Sequence, residues 1–194
     1  MMRKILSYVV VLTMAVCMVV GCSKQRERWS DKEREALRQE LDAYREMVYL
    51  NNLEDEAFDD FSYDVVDAIE VDYPVYTTFV EMPGKGDTIQ VYVVSTIIEE
   101  LRADAHNMRN IYPYPQLVAE GVLPAGLNAK AQRAFYECLA RKVDNNFSSV
   151  AEFFNAIVAD TLPTSTMTQL QSECASNLFD WDVEVDETIL YSND

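Results

Sequence analysis

Asp55-Glu56-Ala57-Phe58-Asp59-Asp60-Phe61-Ser62-Tyr63-Asp64-Val65-Val66-Asp67-Ala68-Ile69-Glu70-Val71 carries the cleanest pattern in the 194-residue chain, and it decides the fold class. Phe58, Phe61, Val65 and Ile69 recur at spacings of three and four, so a helix of 3.6 residues per turn gathers them on one face. Asp59, Asp60, Asp64, Asp67 and Glu70 fall on the other face. Pro74 closes the helix, because it has no amide hydrogen to donate. Burying the apolar face turns the carboxylates outward together. Like charges at this spacing repel by roughly a few tenths of a kcal/mol per pair. No Lys or Arg lies between Arg45 and Lys85 to relieve them locally. The five acids are therefore the candidate partner-binding surface, and a basic protein is the partner their charge matches.

Upstream, Ser30 with Glu33 forms a capping box, and Leu37, Leu41, Tyr44 and Val48 continue a narrow apolar stripe. That pattern predicts a long helix over about 31–52. Downstream, 75–96 is ambiguous. It is rich in β-branched and aromatic residues, and Pro83-Gly84-Lys85-Gly86-Asp87 divides it as a turn would, which leaves a short β-hairpin near 75–94 as one expectation. Against it, Asp87 with Gln90 caps a helix, and Val94, Ile97, Ile98, Leu101, Ala105 and Met108 share one helical face. The helix is favoured for 88–110, and 75–82 stays open.

After the Tyr112-Pro113-Tyr114-Pro115 loop a short helical turn covers 115–120 and stops at Gly121. Asn128 caps a helix to about Val143, Ser149 with Glu152 opens another, and Thr166 with Gln169 opens the last. The alternation from Trp181 to Tyr191 reads as an extended tail. The fold class expected is mainly α: a single domain over 30–194 with five or six helices.

Charge narrows the partners. The chain holds 16 basic and 33 acidic side chains, a formal net charge of −17. Residues 23–45 hold seven basic and six acidic side chains, whereas 46–194 hold seven and twenty-seven. So negative a body is repelled by nucleic acid, which is set aside as a partner. His106 is the only histidine and belongs to no nucleophile motif, and one His with a few distant Cys cannot build a zinc site. Asp180, Asp182 and Glu184 match the opening of a calcium loop, but Val185 replaces its glycine and Tyr191 its bidentate acid, so no metal is expected. The five glycines form no phosphate-cradling run, and no cofactor is expected. The reading leans to a non-catalytic interaction protein. The alternatives are a periplasmic hydrolase using paired carboxylates and a module that binds a small ligand or a polysaccharide.

The address comes from residues 1–22. Arg3 and Lys4 precede an apolar run from Ile5 to Val20, shorter than the roughly 20 residues of a membrane span. The run ends in Val19-Val20-Gly21-Cys22, which resembles the lipobox of bacterial lipoproteins. The resemblance implies that 1–21 is a removed signal peptide, that Cys22 is lipidated, and that 22–29 is a tether. It also implies a membrane-anchored, periplasm-facing protein, with Ser23 favouring the outer membrane and the cell surface as the second choice. Cys17 would leave with the signal, so Cys138 and Cys174 would be the remaining thiols. Outside the cytoplasm such a pair forms a disulfide or stays as two buried thiols. Both are expected on inward helix faces.

Overall fold

The computed structural model describes residues 28–181. The signal peptide, Cys22 and most of the expected tail from Trp181 to Tyr191 lie outside them. The fold is mainly α, a single helical domain. Among the described residues it has eight α-helices, three 3-10 helices and no strand.

Helix α1 (Asp31–Leu41) starts at the Ser30 capping box: the Ser30 amide donates to Glu33 Oε2 at 2.7 Å and the Glu33 amide to Ser30 Oγ at 3.4 Å. The helix does not run on to 52. It tightens into a 3-10 turn, Asp42–Tyr44, and the chain reverses at Tyr49 (φ 86°) before a second 3-10 turn, Leu50–Asn52. The turn puts Tyr49 and Leu50 fully into the core. A left-handed non-glycine residue of this kind leaves no trace in hydrophobic period.

Helix α2 (Asp55–Asp72) follows the quoted pattern, with Phe58, Phe61, Val65, Val66 and Ile69 buried. Helices α3 (Tyr76–Glu81) and α4 (Lys85–Ala103) occupy the stretch where a hairpin was the alternative, so 75–94 is helical. Gly84 (φ 76°) makes the turn between them and sets the start of α4, two residues ahead of Asp87. Ile89, Val93, Ile97 and Leu101 are buried at spacings of four, with Thr96 buried beside them. The β-branching of Ile89, Val93, Thr96 and Ile97 disfavours a helix by about 0.5 kcal/mol per residue, while burying each aliphatic side chain contributes about 2 kcal/mol, so packing wins.

Helix α4 ends before 110. Asp104 turns extended and its carboxylate accepts the His106 amide at 2.9 Å, which opens a 3-10 helix over Ala105–Asn110. Helix α5 (Tyr114–Ala119) stops at Gly121 (φ 74°). Helix α6 (Ala129–Asn146) starts at Asn128, which accepts the Ala131 amide at 3.0 Å. Helix α7 (Val150–Val158) starts at Ser149, but the Glu152 carboxylate turns to Ser148 rather than back to the cap. Helix α8 (Thr164–Phe179) starts directly after Pro163, so Thr166 and Gln169 lie inside it, and Gln169 bonds Glu173 at 3.0 Å.

Helix α2 packs between α1 and α4, α4 continues the core to α7, and α6 packs on the 105–110 turn and α8. A disulfide joins Cys138 of α6 to Cys174 of α8, with Cα atoms 5.9 Å apart.

Candidate functional site: an acidic helix face

Helix α1 runs antiparallel to α2, and the arginines of α1 and its flanking segments land on the acids in reverse order. Arg28 reaches Glu70 at 3.5 Å, Arg34 pairs with both Asp67 and Glu70, Arg38 pairs with Asp59 at 2.8 Å, and Arg45 with Asp55 at 2.8 Å. Arg34, Leu37, Arg38 and Leu41 follow one another at spacings of three, one and three, so α1 carries its arginines beside its apolar stripe. Burying Leu37 and Leu41 in one core with Phe58, Phe61 and Val65 therefore brings those arginines onto the acid face.

The pairs are not equal. Glu70 is buried, and besides two arginines it accepts the Trp29 amide at 3.2 Å. Burial works against the Arg34 charge, but the hydrogen bonds and charges of Asp67 and Glu70 outweigh it and hold the guanidinium more firmly protonated than usual. Arg38 also donates to the Tyr63 hydroxyl at 2.9 Å and lies over that ring at 3.9 Å. Arg45 covers the Phe58 ring at 4.1 Å. Three of the five candidate acids, Asp59, Asp67 and Glu70, are thus covered from within the chain. Asp60 and Asp64 are exposed and form no ion pair among the described residues.

The sequence pattern did not reveal this cover, because it comes from an element more than twenty residues away. The signal was present as the near-neutral charge of 23–45 beside a body of net −20.

A second polar cluster lies behind the acid face. The Tyr49 hydroxyl donates to the Glu100 carboxylate on α4, and the Asn107 side chain donates to the Glu100 carbonyl at 2.9 Å. Burial pushes the Glu100 carboxyl up and the Asp64 charge adds to it, against the Tyr49 hydrogen bond. Burial, followed by that carboxylate, raises the Tyr49 phenol as well. Tyr49 is thus a neutral donor that pins the reversed chain after α1 to α4.

His106 is half-buried, edge-on to the Tyr136 ring at 5.5 Å. Arg109 approaches its Nε2 at 3.0 Å. A guanidinium can only donate, so Nε2 accepts and Nδ1 carries the proton, which is buried without a partner among the described residues. Burial, then Arg109 and Arg133, lowers the His106 pKa, with Asp104 and Glu137 opposing.

A cleft of about 170 Å³ opens between α4, the 105–110 turn, α6 and α7. Leu101, Met108 and Val143 form its apolar lining, with Arg102 and the single carboxylate Asp144 beside them. A carboxylate pair of the hydrolytic kind needs two acids across one site, and this lining supplies one. Among the described residues, no three His, Cys, Asp or Glu side chains are placed to hold a metal ion.

The chain matches no protein-family model, no curated protein and no solved structure.

Proposed function

We propose that this chain is a lipid-anchored envelope protein of the interaction type, held through lipid on Cys22 and offering the uncovered part of its acidic helix to a basic protein partner. The site is centred on Asp60 and Asp64. The single observation behind it is the contrast along α2, where Asp59, Asp67 and Glu70 have arginines from α1 while Asp60 and Asp64 stand exposed without one. In a chain of net −17 the free pair adds to a field that attracts cationic surfaces. The arginine pairs hold the backbone under it, so a partner meets a surface already formed.

Asp60→Lys with Asp64→Lys tests the reading. Envelope proteins captured by full-length wild type and by the double variant are compared at low and high salt. A basic protein held by wild type, released by salt and lost in the variant is the expected result, with the association rate falling more than the dissociation rate rises. Identical captured sets at both salt levels would sink the reading.

A further inference from the structure

Trp29 is the point where the N-terminal segment is fastened to the domain. Its indole N–H donates to the Tyr73 carbonyl at 2.9 Å, and its ring lies 5.0 Å from Tyr76 and 5.4 Å from Phe79. Three exposed side chains around this point are apolar. Val71 is 56 % and Val75 43 % exposed on either side of Tyr73, with exposed Pro74 between. Val91, 62 % exposed, precedes Tyr92, whose hydroxyl bonds Asp72 and whose ring lies 6.4 Å from Tyr73. Three of the seven large apolar side chains exposed among the described residues are gathered at this one end. Scattered single ones would need no explanation.

We propose that this end, Val71, Val75 and Val91 around the Trp29 fastening, rests on the lipid surface; the proposal builds on the Cys22 anchor stated above. Cys22 precedes Trp29 by seven residues, and a chain of that length spans at most about 25 Å whatever its conformation. A lipid on Cys22 therefore keeps the Trp29 end next to the membrane. Arg28 is largely exposed here, Lys24 and Arg26 belong to the tether, and such side chains gain from anionic headgroups. Of the acids at this end, Glu70 is neutralised by Arg34 and Arg28, whereas Asp31, Asp72, Glu81 and Asp87 are exposed without an ion pair among the described residues, so the contact rests on the apolar side chains and the basic tether and not on the charge of the domain. The opposite end of α2 then points away from the lipid. Asp60 lies about 18 Å along the helix axis from Asp72, where a soluble or envelope partner can reach it.

The test places an environment-sensitive fluorophore on Val71→Cys or Val75→Cys, with Glu56→Cys at the far end of α2 as control. Cys22 is lipidated and Cys138 and Cys174 are bonded to each other, so the introduced thiol is the one labelled. All three positions are exposed, and the substitutions leave the core intact. The full-length lipidated protein is reconstituted into vesicles of phosphatidylethanolamine and phosphatidylglycerol. Its flotation and its quenching by iodide are then measured. The expected result is flotation that Cys22→Ser abolishes, with quenching several-fold weaker at 71 and 75 than at 56. Flotation with equal quenching at all three sites overturns the lipid contact and leaves the anchor standing. Failure to float overturns the anchor and the contact together. Equal protection at 71 and 75 in the Cys22→Ser protein without vesicles would assign the patch to a second copy of the chain and overturn the lipid proposal.

Discussion

The two ends of this domain are joined by different chemistry. The seam between α2 and the segment 28–45 that contains α1 is held by charge: Arg28, Arg34, Arg38 and Arg45 each pair with an acid of α2, and the Arg34 pair is mostly withdrawn from water. The seam between α6 and α8 has a single Lys142–Glu173 ion pair, over one third of whose carboxylate is exposed, and a covalent bond between Cys138 and Cys174. The first seam answers to salt, the second to redox conditions. The difference follows from burial. Exposed ion pairs contribute about 0–1 kcal/mol each, whereas an ion pair whose partner acid is buried cannot lose one member cheaply.

The largest break in this comparison is at the covalent seam. Replacing Cys138 and Cys174 by Ser opens a loop whose ends are 36 residues apart. In the chain-entropy model that lowers stability by about 4 kcal/mol. Urea unfolding should show the same loss when wild type is reduced, and no effect of reductant on the double variant. A reductant-insensitive wild type would count against a covalent seam.

Next comes the charged seam. Arg34→Ala leaves Glu70 buried with only the more distant Arg28 and one backbone amide, and should cost about 3 kcal/mol. Arg45→Ala removes a pair with a nearly fully exposed Asp55 and should change stability by less than about 1 kcal/mol. Urea midpoints of the two variants, read side by side, check the ratio. Equal losses would mean that burial of Glu70 does not set the strength of the seam.

The smallest effect separates the two regions by pH. His106 sits where the 105–110 turn meets α6, and its folded pKa is lowered, first by burial. A depressed pKa contributes stability that is present above the unfolded value of 6.5 and is lost as pH falls through the lower folded value. The carboxylates with lowered pKa, Glu33, Asp104, Glu152 and Glu173, lose their contribution only below their ordinary values of 3.8 to 4.5. Thermal unfolding should therefore show a first decline in Tm just below pH 6.5 that His106→Gln removes. A profile unchanged by that substitution would assign the first decline elsewhere.

Much of the architecture was legible in local pattern. Helix α2 followed from the spacing of its aromatic and aliphatic residues, and Ser30, Asn128 and Ser149 marked helix starts because a cap needs only its own backbone and side chain. The early end of α1, the break at Asp104 and the helical state of 75–94 were not legible. Each depends on what the segment packs against: Tyr49 reaching Glu100, Asp104 capping a new turn, and the β-branched face of α4 entering the core.

The candidate site divides along the same line. Composition and spacing determined that one helix would carry five acids on one face and that positive charge would gather in residues 23–45. Only the tertiary structure decided that the two meet, covering Asp59, Asp67 and Glu70 and leaving Asp60 and Asp64. It also decided that Cys138 faces Cys174. Period and capping are properties of one helix and its own backbone, so the sequence carries them directly. Which side chain of one helix meets which of another is set by the packing of Leu37 and Leu41 with Phe58, Phe61 and Val65, and no single segment contains that information.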